Sequence, residues 1–170
     1  GPLSSRNLVI NGAMQVAQRA TQVTSITSGG LRTVDRFGLG FNTLGTWTID
    51  QSTDSPNGFS NSLKLTCTTA DASPAAGDYA FIRHNIEAQN LQSLGYGTAD
   101  AKTMTLSFWV KSNKTGSASV DSRQVDNSNK LWSATYSISS ADTWEYKTLT
   151  IPGDTAGVID NDNGAGLYID

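Results

Sequence analysis

Thr103-Met104-Thr105-Leu106-Ser107-Phe108-Trp109-Val110-Lys111-Ser112 is the stretch on which the reading of this chain turns. Met104, Leu106, Phe108 and Val110 fall on one side of an extended backbone. Thr105, Ser107 and Trp109 fall on the other. A period of two is the mark of a half-buried strand. Ser62–Thr69 repeats the pattern, with Leu63, Leu65 and Cys67 set against Lys64, Thr66 and Thr68. Residues 131–139 do so again, with Trp132, Ala134, Tyr136 and Ile138 on one face. In Tyr79–Glu87, Tyr79, Phe81, Arg83 and Asn85 share one face while Ile82, His84 and Ile86 share the other.

Further strands are expected at residues 7–15, 34–41, 46–51, 117–124, 144–151 and 166–169. The first of these rests on Leu8, Ile10 and Met14 at even spacing. The intervening segments are turn chemistry, for example Asp54-Ser55-Pro56-Asn57-Gly58 and Asp126-Asn127-Ser128-Asn129. One helical turn is expected at residues 90–94. The chain has 170 residues, with 20 Ser, 20 Thr, 16 Gly and 12 Asn. Thr favours strands and the other three favour turns, so the composition agrees with an all-β fold. Short strands at this pace suggest a sandwich or jelly roll. The 14 aromatic residues (4 Trp, 5 Tyr and 5 Phe) on periodic strands set the sequence apart from Ser/Thr-rich disorder.

Charge and motif content narrow the chemistry. The formal net charge is −3, with 12 basic and 15 acidic residues. The basic residues are scattered, which argues against a phosphate-neutralising nucleic-acid surface. No apolar run approaches the length of a membrane-spanning helix, and no secretory signal pattern is present. The single Cys67 excludes an internal disulfide and is expected to act as a small buried hydrophobe. One His and one Cys do not supply a zinc site. His84 lies between Ile82 and Ile86 and reads as a packed strand histidine. No Gly-x-Ser-x-Gly elbow or phosphate-binding glycine loop occurs. Only Glu87 and Glu145 are glutamates, and the other acids are Asp, mostly in loops.

Two candidate sites remain. Asp160-Asn161-Asp162-Asn163-Gly164 places oxygen ligands at alternate positions, so Asp160 and Asp162 are candidate ligands of a structural calcium. The same residues also make an ordinary Asx-rich turn. Trp109, outward on its strand, is a candidate platform for a sugar ring. Tyr79, Arg83 and Asn85 on the outward face of Tyr79–Glu87 are its candidate companions.

Three segments resemble a known family. Asn7-Leu8-Val9-Ile10-Asn11-Gly12-Ala13-Met14-Gln15-Val16-Ala17-Gln18-Arg19 is similar to the "NLLINGDFxVWQRG" opening of a domain of bacteriophage tail-fibre and related virion proteins. Thr33-Val34-Asp35-Arg36-Phe37 resembles its "TADRW" element. Ile86-Glu87 with Met104-Thr105-Leu106-Ser107-Phe108-Trp109-Val110-Lys111 resembles its "Q-x-IE … xTLSFWxK" strand pair. Ala17 and Ala20 replace the Trp and Gly of the opening motif, and His84 stands at its Gln. The resemblance implies a jelly-roll β-sandwich like that of carbohydrate-binding modules, on a virion, in a host-recognition fibre that is commonly trimeric. It carries over no catalytic residue.

The expectation is therefore an all-β jelly-roll sandwich. Residues 1–5 read as a cloning remnant. Residues 6–170 read as a single domain, truncated at its C-terminal end. Its function is expected to be host-surface glycan recognition by a phage virion module of tail-fibre type. On this reading it is not an enzyme, is located in the virion and forms a homo-oligomer, a trimer. Its partners would be a host polysaccharide and other virion proteins, with no nucleic acid, no membrane insertion and no cofactor beyond the calcium. Two rivals are a structural assembly or decoration domain without sugar binding, and a polysaccharide depolymerase.

Overall fold

The computed structural model describes residues 7–170. The expected remnant at 1–5 and the start at Arg6 lie outside the described residues. The described residues divide into two compact units, Val9–His84 and a second made of Asn85–Asp170 with Asn7 and Leu8. Both are all-β, with antiparallel sheets. No helix among the described residues is long and apolar enough to cross a membrane.

In the first unit, β1 (Gln22–Ile26), β4 (Thr46–Ser52) and β5 (Ser62–Thr69) pair in the order β1–β4–β5. The strands β2 (Gly30–Leu31), β3 (Phe37–Asn42) and β6 (Tyr79–Glu87) pair in the order β2–β3–β6. Ile26 and Ile49 of the first layer meet Leu39 of the second in one core, joined by Val23, Trp47, Leu63, Leu65 and Ile82. The expected inward face of β6 holds, since Ile82 packs on that core and His84 is buried. Cys67 departs from expectation and is exposed. It lies toward the end of β5, opposite Trp47, next to a register irregularity that leaves Thr68 of β5 without a partner position on β4.

Residues 7–15 are a turn rather than the expected strand. Asn11 explains why. Its Oδ1 accepts from the Gln15 and Val16 amides at 3.1 and 3.0 Å. Its Nδ2 donates to the Val16 and Asp35 carbonyls at 2.9 and 3.0 Å. One Asn side chain thus replaces ladder partners for four backbone groups. With φ of 60°, Asn11 also sits in the left-handed region that Asn tolerates. The Asp35 amide donates to the Val16 carbonyl and Arg19 pairs with Asp35 at 3.0 Å, so the 7–19 and 33–37 motifs are held together.

In the second unit, β7 (Met104–Val110) pairs with β10 (Glu145–Ile151), and β11 (Ala165–Ile169), β8 (Gly116–Gln124) and β9 (Lys130–Ile138) pair in that order. Phe108 of β7 meets Tyr136 of β9 edge-on at 5.1 Å, bringing the inner faces of the two layers together. The main core joins Ile86, Leu91, Leu94, Tyr96, Ile159 and Leu167, under a 3₁₀ turn at Ala88–Leu94 that begins two residues before the expected one. Gly166 lies against Ala88, where an added Cβ would come within 2.7 Å of the Ala88 Cα.

Candidate functional site

Cross-strand register builds the outward face of β7 and β10. Trp109 lies opposite Tyr146, Ser107 opposite Thr148 and Thr105 opposite Thr150. The alternation that sends Leu106 and Phe108 inward sends Trp109 outward. The structure leaves Trp109 40% exposed and Tyr146 55% exposed, which is what a contact platform requires. Their ring centroids lie 5.3 Å apart at an interplanar angle of 53°. This tilt makes a shallow corner of two aromatic faces. Beyond them the Lys111 ammonium sits 5.9 Å over the Trp144 ring. Along the strands in the other direction Ser107, Thr148, Thr105 and Thr150 are all exposed. Aromatic faces set beside hydroxyls are the pieces that pack on a pyranose ring and bond its substituents.

Tyr146 was not singled out from sequence. Its partnership with Trp109 depends on a register between strands far apart in the chain, which no local pattern reveals.

The other candidates divide between the units. In the first, Tyr79 stacks on Phe81 with centroids 5.4 Å apart, and the Arg83 guanidinium lies 4.7 Å from the Phe81 centroid. The Phe81 ring lies against Gly40 of β3, where a Cβ would come within 2.0 Å of the ring. Tyr79 and Arg83 are thus brought together, through Phe81, on a ring-covered sheet face. Asn85 is exposed on the same side of β6, at the start of the second unit. Asp160 and Asp162 are exposed. The Asp162 carboxylate accepts from the Gly164 amide at 2.9 Å, and the Asp160 amide donates to Asp126 at 3.1 Å. No group of three or more His, Cys, Asp or Glu able to hold a metal occurs among the described residues.

The strongly shifted carboxylates are ones saturated with donors. Glu145 takes the Lys147 ammonium at 2.6 Å and the Ser139 and Ser140 amides at 2.8 Å each. The Lys147 hydrogen bond leads in lowering it to about 2, helped by the two amides and opposed by partial desolvation. Asp154 takes Lys130 at 2.7 Å, Gln124 at 2.8 Å and the Ala156 amide at 3.0 Å. It is held well below the usual carboxylate range, first by Lys130. Burial, with the Asp154 charge second, pushes Tyr96 up to about 12. Carboxylates so engaged are structural anions, poorly suited to giving or taking a proton near neutrality. His84 is lowered by burial and then by the Arg36 charge, against a backbone hydrogen bond at Arg36 that raises it. Its Nε2 accepts from the Ile10 amide at 3.3 Å, so His84 is the packed strand histidine expected.

No protein-family profile matches the chain, and no curated protein matches it. Among solved structures, 96% of the chain aligns with the enzymatically active domain of tailspike protein 4 of bacteriophage CBA120, at 17% identity and a TM-score of 0.48. The chain spans about one fifth of that structure's length. At this level the likeness carries no argument about what the chain binds or does. It does correct one expectation. The reading of this chain as a non-enzyme does not stand beside a match that is itself described as enzymatically active. Absence of catalysis is accordingly not assigned to it.

Proposed function

We propose that this chain is a phage tail module that recognises a host-surface glycan through the outward face of β7 and β10. The observation that carries the reading is the exposed Trp109–Tyr146 pair, set side by side by strand register and continued by Ser and Thr hydroxyls. Large aromatics left in water on a regular strand are a cost to solubility and an asset to a contact site. The phage assignment is supported by the 7–19, 33–37 and 104–111 motifs that resemble virion fibre domains. Weak binding at one such face becomes effective when several copies act together on a fibre, as a trimer does.

Trp109→Ala and Tyr146→Ala are the direct test, read by calorimetry and by retention on immobilised envelope polysaccharide from candidate hosts. Each is expected to weaken binding at least tenfold while circular dichroism stays unchanged, since both side chains point away from the core. Undiminished binding by both variants would overturn the assignment of the site. Failure of the unaltered chain to bind any host polysaccharide would favour an assembly role.

A further inference from the structure

The face of β7 and β10 is ordered along its length. The rings of Trp109 and Tyr146 stand at one end, and the Ser107–Thr148 and Thr105–Thr150 pairs continue toward the other. Across the three pairs from Trp109–Tyr146 to Thr105–Thr150 stand none of the chain's 12 basic or 15 acidic side chains. All six residues are exposed. Outward residues recur every second position, so these pairs span about 13 Å, roughly three pyranose rings in line. Each hydroxyl can donate and accept, as a sugar hydroxyl can, and a glycan bound there meets no charge within the strip.

Resting on the glycan-binding reading above, we propose that this strip takes a linear, uncharged glycan laid along the strand direction. One ring packs in the Trp109–Tyr146 corner and the next rings run over the two hydroxyl pairs. The aromatic end supplies stacking that tolerates many sugars. The hydroxyl end supplies the selection, because an unmatched hydroxyl there loses its water without gaining a partner. A uronate over the two hydroxyl pairs is disfavoured for the same reason, since desolvating its charge there gains no counter-charge, the Lys111 ammonium lying beyond the aromatic end.

The test is calorimetry on the unaltered chain with neutral linear gluco-, manno- and galacto-oligosaccharides from disaccharide to hexasaccharide, beside uronate oligomers of the same lengths. One neutral series is expected to bind, with affinity rising about tenfold from disaccharide to tetrasaccharide and then levelling, and with no change between about 50 and 500 mM salt. Thr150→Val is expected to lower tetrasaccharide affinity about fivefold and leave the disaccharide, which ends over Ser107 and Thr148, unaffected, with Thr105→Val in the same direction. Tighter binding of uronates, salt sensitivity, affinity independent of length or no oligosaccharide binding would each overturn the proposal. If host polysaccharide still binds in a Trp109-dependent way, those results leave the site assignment intact. Loss of that dependence removes both.

Discussion

Replacing Asn11 with Ala tests the architecture of the opening motif. The side chain of Asn11 makes four hydrogen bonds to backbone groups of Gln15, Val16 and Asp35. Three of these lie in exposed surroundings and the one to the Asp35 carbonyl is partly buried. Taking the low end of the usual net value for each, their loss costs about 2 kcal/mol. The φ of 60° adds a further penalty of about 1 kcal/mol, because Ala is poorer in the left-handed region. The sum, about 3 kcal/mol, lowers a urea midpoint by about 1.5 M at a slope of about 2 kcal/mol per molar. Asn11→Gly removes the hydrogen bonds while relieving the backbone, so it is expected to cost about 1 kcal/mol less than Ala. Urea titration followed by circular dichroism reads both. Hydrogen exchange at the Gln15 and Val16 amides, which donate to the Asn11 side chain, localises the effect, with both amides losing protection in the variants. A loss below about 1 kcal/mol for Ala, with Gly no better, would refute the role given to this side chain.

Gly166→Ala forces a methyl against Ala88 and Ile159 in the second unit and is expected to destabilise it by about 1–3 kcal/mol, measured by thermal melting. His84 is depressed in the folded state, so the unfolded chain takes up its proton first. Stability is therefore expected to fall as pH drops below the ordinary value of 6.5, and His84→Gln should flatten that slope between about pH 7 and 5 in denaturant titrations. Glu145 behaves oppositely in origin. Its stabilisation is present above 4.5 and is lost as pH falls toward about 2. The advantage of the unaltered chain over Glu145→Gln should accordingly vanish across that window in acid unfolding.

Much of the fold is legible in local pattern. β5 and β6 begin and end at the residues the sequence pattern points to, Ser62–Thr69 and Tyr79–Glu87, and the inward set Met104, Leu106, Phe108 and Val110 follows from parity alone. Where the period of two is interrupted, the pattern goes silent. β1 carries a register shift between Val23 and Ile26 with Ser25 at φ 57°, so its alternation is broken and residues 22–26 pass as a loop. β2, with two residues, is too short to carry a period. At residues 7–15 apolar spacing points to a strand, but the Asn11 side chain captures the backbone and closes a turn. The site shows the same division. Trp109 pointing outward is a one-strand fact that alternation supplies. The Tyr146 beside it is a two-strand fact, set by register across β7 and β10.

The most direct examination of the whole account is a crystal structure of the chain with a bound linear oligosaccharide. Saccharide density is expected in the Trp109–Tyr146 corner, running over Ser107 and Thr148 toward Thr105 and Thr150. Saccharide seated instead on Tyr79, Phe81 and Arg83, with water over Trp109, would contradict it.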